Sequence, residues 1–338
     1  MTPGRNPEQG HVGDETTKRS CLCQSYVTAT ERAAIAAGRW LGRGDEHGAR
    51  NSASVAMHSA LDELPIDARV VIGGPEDEDG AEITDLRVGQ GGLRVDLAID
   101  ALEGAEVVAR GGTGAMSMMV AGEPDSVPAL PDMYMRKMAV GPVGKGRIDL
   151  RKPICDNVAA VAEAFGRKPN DITAIVLDRP RHHDLLEELR DAGARIKLIQ
   201  DGDITSTINA AIRGTNDHIA VGIGGSRQAI IASAALMCLG GEIQAQLWPT
   251  SRTEIEAARE SGIIDTERVF LTPDLAPKSA IAAATGISNG DLLRGVRYLG
   301  DSARTHSVVM CTRCNRVRFV DGIHFHDRDR REEVRLLG

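Results

Sequence analysis

The sequence predicts an α/β fold of two closely packed domains, built from layered helices and sheets. Three observations carry that prediction. The chain has 338 residues, more than one hydrophobic core usually organises. Short β-branched runs alternate with Ala- and Leu-rich helical stretches along most of its length. Several of those runs end in Gly- or Asp-containing turns, the positions at which layered α/β proteins hold their ligands.

Residues 1–27 read as a disordered extension, because the opening stretch MTPGRNPEQGHVGDETTKRS is polar, punctuated by Gly and Pro, and without periodicity. Residues 28–150 form the first predicted domain. It starts with an Ala-rich helix from Thr28 that ends near Gly42 or Gly44, and residues 53–64 make a second helix. Residues 69–74 are a β-branched strand running into an acidic loop at 75–80. The alternating run 93–98 is another strand, followed by Ile99-Asp100-Ala101-Leu102-Glu103-Gly104-Ala105. The small apolar residues 115–121 read as a buried strand.

Residues 151–338 form the second predicted domain. A helix at 158–165 precedes a strand at 172–177, a basic turn at 178–183 and a helix at 185–192. The strand Arg195–Ile199 leads to Asp201-Gly202-Asp203, and a further helix precedes the strand at 218–225, which opens into a helix at 228–239. This alternation predicts a doubly wound arrangement with ligand loops at strand ends. Residues 308–320 read as a hairpin returning to a sheet.

Composition narrows the function. Net charge is −8 and the isoelectric point about 5.7, which argues against nucleic acid or an anionic membrane as partner. Aromatic residues make up 3%, too few for base-stacking platforms. No apolar run reaches the roughly 18 residues of a membrane span, and the polar N-terminus is no signal peptide, so the expected address is cytoplasmic.

Two groups of residues carry candidate chemistry. Asp100 and Glu103 stand three apart after a strand, closed by Gly104, a spacing that aims two carboxylates at one divalent cation. Glu46, His47, Glu76, Glu78, Asp100 and Glu103 together form a pool of carboxyl groups and one imidazole suited to acid–base work, with solvated surface groups as the alternative. Separately, Cys311-x-x-Cys314 has the spacing of half a zinc knuckle, with Cys21-x-Cys23 as the other half and His324 and His326 as further ligands. Reduced, idle cysteines are the alternative there. Cys155 and Cys238 read as core residues.

Taken in order, the stretches GRWLGRGD, VVIGG, VDLAIDALEG, PDMYMRKMAVGP, LDRPRHHDLL, IKLIQDGDI, VGIGGS, LGGEIQAQLWP and ATGISNGDLLRGVRY resemble the class II fructose-1,6-bisphosphatases. These belong to the lithium-sensitive, metal-dependent sugar-phosphatase superfamily, and the resemblance spans residues 28–325. It implies a two-domain sugar-phosphatase fold, a homo-oligomer, and a bisphosphate site between the domains. There a metal-activated water attacks phosphorus in line.

Carried over residue by residue, the resemblance keeps Asp100 and Glu103 as metal ligands and replaces much of their surroundings. Arg50 stands where the family has a ligand Asp, and Glu46 where it has a Lys. Gly74 takes the place of a ligand Glu, with Glu76 following in the same loop. Glu78 replaces an Asp that orients water, Ala105 the Thr closing the central turn, Arg227 a Pro, and Gln228 a ligand Glu. One Mg²⁺ or Mn²⁺ at Asp100 and Glu103 is therefore the expected limit, because affinity follows the number of charged ligands.

The implied substrate contacts are better kept. They are Tyr134 against the sugar, and Arg179, Arg181 and His182 on phosphate. Asp201 and Asp203 meet the hydroxyls, Glu103 and Gly104 close the central turn, and Gly225 lies at a helix start. One reading and its alternatives follow from this pattern. The reading is hydrolysis of a ketose (bis)phosphate, with Glu76, Glu78, Asp100 and Glu103 as the catalytic set. The alternatives are non-hydrolytic isomerisation, epimerisation or elimination on the same substrate, or binding alone.

Overall fold

The computed structural model describes residues 22–75, 83 and 85–325. The extension before Leu22, Cys21, Glu76, Glu78 and His326 lie outside the described residues.

The first helix, α1 (Cys23–Gly38), starts five residues before the predicted Thr28, because Tyr26 and Val27 are already buried. Its Ala29, Ala33 and Ala37 recur at helical spacing and are fully buried, which lets α2 (Glu46–Asp62) approach closely. Asp45 caps α2 by accepting the Gly48 N–H at 2.8 Å. There follow β1 (Ile66–Ile72), β2 (Leu86–Val88), β3 (Leu93–Glu103), α3 (Ala105–Arg110), β4 (Met116–Gly122) and β5 (Tyr134–Val140).

The middle of the chain supplies α4 (Ile154–Phe165), β6 (Thr173–Leu177), α5 (His183–Asp191), β7 (Arg195–Ile199), α6 (Asp203–Asn209), β8 (Ile219–Gly225) and α7 (Ser226–Leu239). The last part supplies β9 (Glu242–Leu247), α8 (Arg252–Glu260), β10 (Val269–Leu271), α9 (Thr272–Leu275), β11 (Ile281–Gly286), β12 (Arg297–Leu299), β13 (Ser302–Cys311) and β14 (Arg316–Phe325).

Two mixed sheets result. The first runs β12-β13-β11-β4-β3-β1-β2 with β14 on β13, and the second runs β10-β9-β5-β8-β6-β7. Helices α1 and α2 cover one face of the first sheet, α6 and α7 fill the space between the sheets, and α4 and α5 lie beyond the second. The central apolar cluster draws Met116, Met118 and Val120 from β4, Met135 and Ala139 from β5, and Ile230 and Ala234 from α7, so both sheets share one core. Every residue of β4 is buried, as expected of a strand covered on both faces.

Strands cross the predicted divide at residue 150: β5 is an inner strand of the second sheet, and β11 to β14 return to the first. Sheet topology corrects one expectation, since the second sheet is not doubly wound throughout. Only β7, β6 and β8 run parallel, while β5, β9 and β10 pair antiparallel. The reason is β5 itself, which arrives from before the predicted divide and inserts between β8 and β9.

Among the described residues, no helix is long and apolar enough to cross a membrane.

Candidate active site

Strand β3 builds the centre of the site. Leu97 and Ile99 point into the core under α1 and α2, while Ala98 faces the interlayer of α6 and α7. Asp100 shares the phase of Ala98 and so points toward that interlayer at the end of the strand. In an unbroken strand Glu103 would face the opposite way. The pairing of β3 with β4 shifts register between Asp100 and Glu103, and that irregularity brings both carboxyl groups to one side. Gly73 lets the end of β1 come alongside: with φ at +84°, a Cβ there would lie 2.0 Å from the Ile99 carbonyl oxygen.

The two carboxyl groups are not equivalent. Glu103 is 4% exposed; its Oε1 accepts the Ile204 N–H at 2.6 Å, in the first turn of α6. Its Oε2 is buried with no hydrogen-bond partner among the described residues. Burial, joined by the negative charges of Asp100, Asp203 and Asp201, holds the Glu103 carboxyl well above the ordinary carboxylate range. Burial raises Asp100 too, but the Arg50 guanidinium and a hydrogen bond from the Gln228 amide counter it, and Glu103 hydrogen-bonds the same carboxyl. Burial thus favours the protonated form at both carboxyls, most strongly at Glu103, while Arg50 and Gln228 favour charge on Asp100.

Facing this pair is a cavity of about 220 Å³. Its lining brings together Asp100, Glu103, Gly104, Tyr134, Arg179, Arg181, Asp201, Asp203 and Gly225, all of them expected site residues, with Arg50 and Gln228. They come from the ends of β3, β6, β7 and β8, from the starts of β5, α6 and α7, and from α2. Gly225 caps α7 without a side chain, and a Cβ there would meet Gln228 Oε1 at 2.2 Å, so glycine allows Gln228 to fold back over the helix start. A second cavity of about 660 Å³ shares Arg50, Asp100 and Gln228 as a common wall and is lined by His47, Gly73 and Gly74.

The cationic side chains differ in availability. Arg179 is ion-paired to Glu106 at 3.0 Å. Arg181 donates Nε and Nη2 to the Ile223 carbonyl at 3.1 and 2.9 Å, and its guanidinium lies 4.7 Å from the centre of the half-exposed Tyr134 ring. Tyr134 and Arg181 therefore form one stacked wall with a fixed guanidinium plane. Arg50 is exposed and acts on Asp100 through charge.

His182 does not join this wall. It is 1% exposed; its Nδ1–H donates to the Leu177 carbonyl at 2.7 Å and its Nε2 accepts the Ile223 N–H at 2.7 Å. With both nitrogens engaged by backbone and burial lowering its pKa, it is a neutral strut tying the end of β6 to β8, not a phosphate ligand. Ala105 is buried at the start of α3, and Gly74 lies only in the larger cavity. Cys155 is exposed and not a core residue. His324 sits beside Thr305 Oγ1 at 3.0 Å and near Glu31, away from the cysteines.

Sequence reasoning missed Lys137. It is 6% exposed, bonded to Asp203 Oδ2 and to the Gly225 carbonyl at 3.1 Å. It fixes Asp203 at the cavity wall. The signal was present: in YMRKMAV, Lys137 shares the phase of the inward-facing Met135 and Ala139. Glu106, the partner of Arg179, was also missed, and its acidic place in the first turn of α3 carried no distinctive pattern.

Among the described residues, the donor set fits one divalent cation. Asp100 and Glu103 offer two carboxyl groups in contact, and the orphaned Glu103 Oε2 is an acceptor without a donor. Among the described residues, however, no third acidic or imidazole ligand converges there; the one such group of three is Cys23, Cys311 and Cys314. Arg50 and Gln228 occupy the flank of Asp100 instead.

Known proteins match this chain over most of its length. The family model described as bacterial fructose-1,6-bisphosphatase, glpX-encoded, matches residues 20–324. A Synechococcus protein described as D-fructose 1,6-bisphosphatase class 2/sedoheptulose 1,7-bisphosphatase is 37% identical over 337 residues, covering 92% of this chain and 97% of its own. Proteins with the same description from Crocosphaera subtropica and Microcystis aeruginosa are each 34% identical, covering 94% of this chain and 99% of theirs.

Proposed function

The chain belongs to the bacterial fructose-1,6-bisphosphatase family encoded by glpX, and from that premise we propose that it hydrolyses one phosphate ester of a ketose bisphosphate in the cleft at the end of β3. Fructose 1,6-bisphosphate and sedoheptulose 1,7-bisphosphate, named for its relatives, are the first substrates to try. One observation carries the reading: a single cavity of about 220 Å³ is lined by both the Asp100–Glu103 pair and the Tyr134–Arg181 wall, with the Arg50 charge acting on Asp100.

In this reading the chain's own residues divide the work. Arg181 and Arg50 hold phosphoryl oxygens; a guanidinium fork suits them, and Arg181 is already fixed in orientation by the Ile223 carbonyl. Tyr134 packs its ring against the sugar. Asp201 and Asp203 accept sugar hydroxyls, with Lys137 holding Asp203 in place. The helix start at Gly225 favours negative charge near α7. Asp100 and Glu103 would hold one Mg²⁺ or Mn²⁺, which when bound supplies Lewis acidity toward the phosphoryl group and a more acidic water. The proton that Glu103 holds must leave before its Oε2 can serve as a ligand, so cation affinity rises with pH.

The test is phosphate release from fructose 1,6-bisphosphate with added Mg²⁺ or Mn²⁺, read colorimetrically and by ³¹P NMR. Phosphate release that requires the cation supports the reading. Arg181→Ala is expected to raise KM about tenfold or more with a smaller change in kcat, because the guanidinium binds ground and transition states alike. An unchanged KM would remove Arg181 from the substrate site.

Non-hydrolytic acid–base chemistry is the second reading, favoured by the contact between two carboxyl groups that are both raised, Glu103 well above the ordinary range. It predicts a new sugar-phosphate signal without free phosphate, and turnover that persists when no Mg²⁺ or Mn²⁺ is added.

A further inference from the structure

Three cysteines far from the cleft converge from opposite ends of the chain. Cys23 opens α1, Cys311 ends β13, and Cys314 lies in the turn between β13 and β14. Cys23 and Cys311 are 2% and 3% exposed, and Cys314 is half-buried. The three sulfur atoms lie within 4.8 Å of one another, although Cys23 and Cys314 are 291 positions apart. The Cys314 N–H also donates to Cys311 Sγ at 3.4 Å, a polarity that favours a thiolate. Cys23 occupies the first turn of a 16-residue helix, whose N-terminal dipole favours the same charge.

We propose that Cys23, Cys311 and Cys314 hold one structural zinc ion that fastens the start of α1 to the β13–β14 turn. The spacing has the right size for it. Zinc–thiolate bonds of about 2.3 Å at tetrahedral angles put ligand sulfurs about 3.8 Å apart, and Cys23 Sγ and Cys314 Sγ stand 3.7 Å apart. A disulfide needs about 2.05 Å, so those two cysteines are unbonded at this spacing. Soft thiolates select zinc over Mg²⁺ or Mn²⁺, which keeps this site chemically separate from the carboxylate pair. On binding, each thiol releases its proton and becomes a thiolate ligand, up to three protons per ion, and the fourth coordination position goes to a donor outside these three.

Cys238 lies nearby without joining them. Burial, followed by the charge of Cys311, pushes its thiol up to about 12, and its Sγ donates to the Ala280 carbonyl at 3.6 Å, so it stays protonated. The ion would act mechanically. Helix α1 packs on β11 and β13 and carries Thr30, which is hydrogen-bonded to Thr285 at 2.8 Å, and Glu31, which accepts from Thr305 at 2.9 Å. Fastening its first residue holds the outer layer onto the first sheet.

The experiment is metal analysis by plasma emission on the full chain, purified under reducing conditions without chelator. About one zinc per chain is expected in the unmodified protein and in Cys155→Ser, falling below about 0.1 in Cys314→Ser. Because Cys311→Ser and Cys314→Ser can fail to fold, the unmodified protein is also stripped of metal and refilled with Co²⁺ alone. A thiolate-to-cobalt charge-transfer band supports the site. Zinc below about 0.1 per chain together with no such band would overturn it. So would a Cys23–Cys314 disulfide found by mass spectrometry after alkylation without reduction.

Discussion

Replacing Asp100 with Asn is expected to lower kcat for phosphate release from fructose 1,6-bisphosphate by about 10²–10³-fold or more, the scale of removing one preorganised charge from a reacting centre. The physical reason is the setting of the carboxyl at the end of β3. Asp100 is half-buried, and Arg50 and Gln228 favour its negative charge against the desolvation that raises it. Asn keeps the size and the hydrogen bond to Gln228 but cannot hold a cation or accept a proton from water. The fold should survive, since β3 is anchored by Leu97 and Ile99 in the core and not by Asp100. Colorimetric phosphate assays with matched thermal melts check this. Activity within twofold of the unmodified protein would place the chemistry elsewhere.

Glu103→Gln is expected to cost about 10²-fold in kcat while making the protein less sensitive to rising pH. In the folded chain the Glu103 carboxyl keeps its proton well above the ordinary value, first through burial and then through its acidic neighbours. The unfolded chain releases that proton near 4.5. Between the two values the folded state binds more protons, so this group's contribution is fully present below 4.5 and is lost as pH climbs through the raised native value. A buried carboxylate with an unmatched Oε2 remains above it. Leaving such a group unsatisfied costs about 1–3 kcal/mol, which glutamine avoids. Thermal melts at pH 5 and pH 9, without added divalent cation, should show the unmodified protein losing stability and Glu103→Gln losing less. Parallel losses in the two proteins would contradict the assignment.

Much of the fold and of the cleft is legible in the order of residues alone. The strands at 172–177 and Arg195–Ile199 and the helices at 158–165 and 228–239 stand out because their β-branched runs, helical periodicity and Gly stops are local signals. The cleft is legible for a different reason. Its residues sit at strand ends marked by Asp, Gly or Arg, and nine of the expected positions share one cavity.

Signals that depend on partners distant in sequence are not legible in this way. Nothing in YMRKMAV says that β5 will pair with β8 and β9, so the doubly wound reading of the second sheet fails there. The basic turn 178–183 looks like one phosphate cradle, yet its members separate by burial. Arg181 and Arg179 both line the cavity, but Arg179 is paired to Glu106, and His182 is consumed by two backbone groups. The register shift that turns Glu103 toward Asp100 is likewise a property of pairing with β4.

The Asp100–Glu103 pair is expected to take one divalent cation, because Arg50 and Gln228 stand where further ligands would be needed. Counting Mn²⁺ bound per chain by electron paramagnetic resonance, in the presence of inorganic phosphate and after the cysteine site is filled with zinc, tests that directly. The prediction is one Mn²⁺ per chain, lost in Asp100→Asn. Two ions per chain, or one that persists in Asp100→Asn, would contradict it.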